Sequence, residues 1–185
     1  MGKPKFHQSV LLFYGILFTD AETLEKAEAE LTKRHGAIIS KSRVYDFNYT
    51  GYYRKEMGGA DIKRVFYAFE KLIMPDELAD VKTASNALEL TFSKDGVNRS
   101  INLDPGYLTL AKVVLASAKD NIQRIYIKDG IYAEITLYYK NHSFTPFEWT
   151  FPDYRESYIS YFNELRNTYR DLMKTASETK RTNIK

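Results

Sequence analysis

Six charged residues stand in segments that otherwise have the character of packed structure. Asp104 and Lys112 lie in INLDPGYLTLAKVVLAS (101–117), Arg124 and Glu134 in RIYIKDGIYAEITLYY (124–139), and Asp153 and Arg155 in WTFPDYR (149–155). A half-buried charge persists when it is paired or when it serves a ligand. Asp104, Glu134 and Asp153 are therefore the candidate catalytic groups, able to act as acid, base or metal ligand. Lys112, Arg124 and Arg155 are candidates for holding an anion, and Tyr107, Tyr126 and Tyr132 for lining the cleft and stacking a ring. The set is compatible with a divalent metal such as Mg²⁺ or with a phosphate but defines no reaction, so catalysis stays open. For Asp104 a competing role is to fix a turn by accepting backbone N–H bonds.

Other chemistries drop out. The chain has no cysteine, which removes disulfides, thiolate nucleophiles and Cys-ligated zinc or iron-sulfur sites. His7, His35 and His142 belong to no catalytic or metal motif and suit a tail, a helix end and a turn, each solvated. Neither G-x-S-x-G nor G-x-G-x-x-G occurs. With 27 basic and 24 acidic residues, the net charge of +3 is too weak to attract nucleic acid in bulk. VLLFYGILF (10–18) lacks the form of a signal peptide and no apolar run reaches membrane-spanning length, so a soluble cytoplasmic protein with no membrane partner is expected.

These residues need elements to position them. SVLLFYGILF (9–18) suits a strand covered on both faces. Thr19 with Glu22 forms a capping box for a helix carrying Leu24, Ala27 and Leu31, closed by Gly36, and Ala37 to Phe47 is a second strand. The pattern repeats. Lys63 to Ile73 is a strand, Pro75 opens a helix with the face Leu78, Val81, Ser85, Leu88 and Phe92, and a turn at Lys94 to Gly96 leads to a strand in VNRSINL (97–103). Two β-α-β units predict an α+β, ferredoxin-like sandwich, with an α/β mixed sheet as the alternative.

The sandwich is extended by a further helix, a β-hairpin and a C-terminal helix. Asp104-Pro105-Gly106-Tyr107 has the pattern of a type II turn, leading into a helix whose face is Tyr107, Ala111, Val114 or Leu115, and Ala118. Asp129-Gly130 marks a two-residue hairpin turn pairing Lys128 with Ile131 and Tyr126 with Ala133, unless a bulge shifts the register. That register puts Arg124 and Glu134 on opposite faces. Tyr158, Tyr161 or Phe162, Leu165, Tyr169 and Leu172 form the stripe of the C-terminal helix. The long linker NYTGYYRKEMGGAD (48–61) brings three tyrosines either to a site or to the shielding of a sheet edge. Residues 9–175 are expected to form one domain between flexible tails at 1–8 and 176–185.

NLDPGYLTLAK, RIYIKDGIYAEITLYY and WTFPDYR resemble, in content and spacing, the signature segments of the Domain of Unknown Function 4416 family of small prokaryotic proteins. The likeness runs from the first strand to the final helix and implies no activity. Some relatives carry a GTP-binding label, but no G-x-x-x-x-G-K-[ST] phosphate loop occurs here.

Two functions follow as expectations. The first is a pocket for an anionic small molecule or nucleotide, with carboxylate- or metal-assisted chemistry as an extension. The alternative is a non-catalytic interaction module binding RNA or a protein partner through its tyrosine-rich loop and sheet.

Overall fold

A computed structural model describes residues 2–49, 53, 57, 61–93 and 99–182, with 176–182 described by backbone alone. The expected turn at Lys94 to Gly96 and most of the tyrosine-rich linker lie outside the described residues.

The chain is α+β. Among the described residues it forms one antiparallel sheet of nine strands and four α-helices. In chain order these are β1 (Leu11–Phe18), α1 (Ala21–His35), β2 (Ile38–Lys41), β3 (Tyr45–Asp46), β4 (Lys63–Phe69), α2 (Leu78–Thr91), β5 (Ile101–Leu108), β6 (Lys112–Ser117), β7 (Ile125–Lys128), β8 (Ile131–Lys140), β9 (Ser143–Pro146), α3 (Pro152–Glu156) and α4 (Ile159–Thr182). The sheet order is β2-β4-β1-β5-β6-β8-β7, with β3 beside β4 and β9 beside β8. Every pairing is antiparallel, so the mixed-sheet alternative fails.

β1 is buried along its whole length because the sheet is covered on both sides. Its Leu12, Tyr14, Ile16 and Phe18 pack with Ala27 and Leu31 of α1 and Leu88 of α2, so both early helices lie on one face. Leu11 and Phe13 pack on the other face with Phe66, with Phe162 and Leu165 of the last helix and with Tyr158 just before it. Period-two alternation thus sends one strand's side chains into two cores. The stripe expected for the last helix is the one that packs, and its backbone stays helical to Thr182, into the stretch expected as a tail.

Several local expectations are corrected. The cap of α1 is Asp20, whose carboxylate accepts the Thr23 N–H at 2.8 Å, one residue after Thr19. The strand expected over 37–47 breaks into β2 and β3, where Ser42 diverts to bond the Phe66 N–H through its hydroxyl. His35 is not a solvated residue: its Nε2 lies 3.0 Å from the Tyr14 hydroxyl, and its ring packs edge-on to Phe69. Burial holds its pKa down at about 4 and pushes Tyr14 up to about 12.

The largest correction concerns residues 104–118. The further helix does not form. Asp104, Pro105 and Gly106 lie within β5, opposite Gly15, Tyr14 and Phe13 of β1, and the reversal comes later, at Thr109. There the hydroxyl accepts the N–H groups of Ala111 and Lys112 at 3.2 and 3.1 Å, and the chain returns as β6. The β-branched pair in KVVLAS suits that strand better than a helix turn.

The Asp129-Gly130 turn forms with positive φ at both residues, and Lys128 faces Ile131 as expected. A bulge then pairs Tyr126 with Tyr132 and Ile125 with Ala133. Arg124 precedes the strand, so strand parity does not govern its direction.

Candidate functional site

The site begins where two neighbouring strands part. β5 pairs with β1 along its full length but with β6 only from Gly106 to Leu108. Upstream of that point the sheet forks, and α2 roofs the opening. The side chains of α2 take the place of a strand: Glu89 Oε1 accepts the Leu103 N–H at 2.6 Å, and Lys82 Nζ donates to the Leu103 carbonyl at 2.9 Å.

Those two residues start a closed network. Lys82 Nζ also lies 3.3 Å from Asp104 Oδ1, and Asn102 Nδ2 donates to Asp104 Oδ2 at 2.7 Å. Arg99 Nη1 donates to Glu89 Oε2 at 2.7 Å. Lys82 and Glu89 are buried. Burial raises the Glu89 pKa against the opposing pull of Lys82, the Leu103 N–H and Arg99. Asp104 is thus not the fixer of a corner; it is a strand carboxylate that neutralises a buried lysine.

The opposite wall comes from β6 and β8. Glu134, opposite Leu115 and buried, accepts Arg124 Nε at 2.9 Å and Gln123 Nε2 at 3.3 Å. Arg124 Nη1 reaches Ser117 Oγ at 2.8 Å and the Lys119 carbonyl at 2.9 Å. The expectation that Arg124 and Glu134 point apart is therefore wrong.

The closed end belongs to β4 and α3. Arg64 and Asp153 are buried, with Arg64 Nη2 3.7 Å from Asp153 Oδ2. The Asp153 pKa is raised by burial, against the pull of Arg64. The same cause lifts Tyr154 well above the ordinary phenol value. Gly15 makes room for this arrangement: a Cβ there would come within 2.8 Å of Arg64 Nη1 and 3.2 Å of the Tyr154 hydroxyl.

These three walls enclose a cleft of about 630 Å³, within the usual range for small-molecule sites. Phe47, Tyr53 and Phe151 contribute aromatic surface. Among the described residues five cations line it, Arg64, Lys82, Arg99, Lys119 and Arg124, against four carboxylates, Glu89, Asp104, Glu134 and Asp153. Among the described residues no three His, Cys, Asp or Glu side chains are grouped so as to hold a metal.

Four of the residues singled out from sequence thus meet in one cleft: Asp104, Arg124, Glu134 and Asp153. The other five are not among its lining. Lys112 starts β6 opposite Tyr138, at the paired end of the hairpin. Arg155 is exposed and donates to the Thr150 carbonyl at 2.6 Å. Tyr107 packs on the face covered by α1 and α2, and Tyr126 and Tyr132 meet edge to face, 5.5 Å apart, at the β7 edge of the sheet.

Arg64, Lys82, Glu89, Arg99, Asn102 and Tyr154 were missed. A signal existed for three of them. Lys82 and Glu89 fall with Leu78 and Ser85 on one helical stripe, and Arg64 stands in the apolar strand KRVFYAF.

Among the described residues no helix is long and apolar enough to cross a membrane. No curated protein and no solved structure matches the chain significantly. A family model does match, over residues 8–169 of the 185, and it is the Domain of unknown function (DUF4416) model. The chain with this forked sheet and charged cleft belongs to the DUF4416 family.

Proposed function

We propose that the cleft binds an anionic small molecule or nucleotide. The observation that carries this reading is the excess, among the described residues, of cations over carboxylates in a small-molecule-sized cleft that also has aromatic walls. Burial raises the pKa of both Glu89 and Asp153, against the pull of Lys82 and Arg99 on the one and of Arg64 on the other. The carboxylates can accept from hydroxyl or amino groups on the same ligand, as a nucleotide would present. Asp104, Glu134 and Asp153 are the groups available for acid-base work, and Asp153, whose pKa burial raises, is the one we assign as acid.

The sheet order β2-β4-β1-β5, with α1 and α2 on one face, supports a ferredoxin-like reading of the core. Nucleic-acid modules on such cores use an open sheet face to stack bases. Here helices pack on both faces of β1, which favours the cleft over the sheet as the binding surface. We place the protein in the cytoplasm.

The test is a thermal-shift screen with nucleotides, sugar phosphates and Mg²⁺. A ligand at a hundred times its Kd should stabilise by about 2.7 kcal/mol. The response should weaken in Arg124→Gln. Absence of any shift across the anions, or an undiminished shift in Arg124→Gln, would remove the cleft as the binding site.

A further inference from the structure

Among the described residues lining the cleft, two buried side-chain polar atoms lack a hydrogen-bond partner, and both lie at its closed end. Arg64 Nε and the Tyr154 hydroxyl are buried without a hydrogen-bond partner, although both side chains line the cleft. The residues are 4% and 2% exposed. Buried polar atoms in native proteins are nearly always satisfied, so an unpaired guanidinium nitrogen beside an unpaired phenol needs a reason.

Asp153 does not supply it. Its Oδ2 is 3.7 Å from Arg64 Nη2, beyond hydrogen-bonding reach, and its Oδ1 accepts the Tyr154 N–H at 3.0 Å. The guanidinium is held by rings, lying 5.0 Å from the Phe47 centroid and 5.7 Å from that of Phe66. Asp104, the next carboxylate, already has Lys82 and Asn102. Stacking fixes the guanidinium while leaving its in-plane donors free, and a planar fork of N–H donors matches the oxygens of a carboxylate or phosphate.

We infer that the closed end of the cleft is a receptor for one oxyanion, the carboxylate or phosphate group of the ligand, gripped by the Arg64 guanidinium and the Tyr154 hydroxyl. The inference rests on the cleft being the binding site and says which part of the ligand enters first. Gly15 belongs to the same device, since any side chain there would press on both donors.

The experiment titrates the full chain with inorganic phosphate and, separately, acetate at constant ionic strength, following melting temperature. Tyr154→Phe removes only the hydroxyl. Without anion it should melt at or above the wild-type temperature, because a buried unpaired group is gone, yet need about tenfold more anion for the same stabilisation. Arg64→Lys, which keeps the charge and loses the fork, should weaken the response at least as much. A response to phosphate alone identifies a phosphate receptor, and one to acetate alone a carboxylate receptor.

An unchanged anion dependence in Tyr154→Phe overturns the receptor. If a nucleotide stabilises wild type and Tyr154→Phe equally while Arg124→Gln loses the effect, the receptor falls and the cleft reading stands. If neither anions nor nucleotides shift the melting temperature, both fall.

Discussion

His35 shows how one residue can set a pH dependence far from the cleft. Its ring sits between Tyr14 and Phe69, and its burial there, followed by the positive charges of Lys71 and Arg34, opposes protonation in the folded state. The folded pKa is about 4 against an ordinary 6.5, so between those values the unfolded chain binds the extra proton. His35 contributes fully above about pH 6.5, and that contribution is lost as pH falls toward 4. Discounted for the partial exposure of the ring, the loss is on the order of 1 to 2 kcal/mol. Urea denaturation of wild type and His35→Gln at a series of pH values should show a difference in stability that is level above pH 7 and shrinks below it. A difference independent of pH would mean that the ring titrates normally.

At the scale of elements, the relation between α2 and β5 makes the clearest demand. Glu89 accepts the Leu103 N–H that a neighbouring strand would otherwise take, and it also holds Arg99. Glu89→Ala leaves a buried N–H without an acceptor and Lys82 short of a counter-charge, and should destabilise by about 3 kcal/mol. Glu89→Gln keeps an oxygen for Leu103 and should cost about half as much. Equal losses in the two variants, read by chemical denaturation, would show that the backbone bond matters little.

The same region explains what could be read from the sequence. β1 was legible as a short apolar run suited to a strand covered on both faces, and α1, α2 and the C-terminal stripe because each carries a helical period. Asp104-Pro105-Gly106 misled because Pro and Gly signal a turn locally, whereas here the proline meets a strand edge and the glycine meets Phe13. A Cβ at Gly106 would come within 2.6 Å of that ring. Among the site residues, Asp104, Arg124, Glu134 and Asp153 betrayed themselves by standing in apolar company. Lys82 and Glu89 share a helical stripe with Leu78 and Ser85 at the border of the apolar face, and the fork in the sheet is what gives those two charges a buried place.

At the scale of the molecule, β1 joins two cores that share no side chains. Phe162 anchors the second one, stacking on Tyr154 and meeting Phe13 and Phe66 edge to face. Phe162→Ala should cost about 3 to 5 kcal/mol. Because Tyr154 leans on this ring, the variant should also blunt the phosphate or acetate response, as calorimetric titration below its melting temperature would show. A full loss of stability with an intact anion response would separate the second core from the cleft.

The fork has one more consequence, and it lies in the covalent chain. Thr109 donates to the Lys112 carbonyl across the hairpin, so the hydrogen-bonded positions run in steps of two through Tyr107 with Val114, and the next would be Pro105 with Ala116. Proline brings no N–H to that position. A hairpin zipping up from its turn therefore halts there, before the two strands can seal into a continuous ribbon. The opening is a property of the backbone, and replacing the charges around it would change the chemistry of the lining while leaving the gap itself in place.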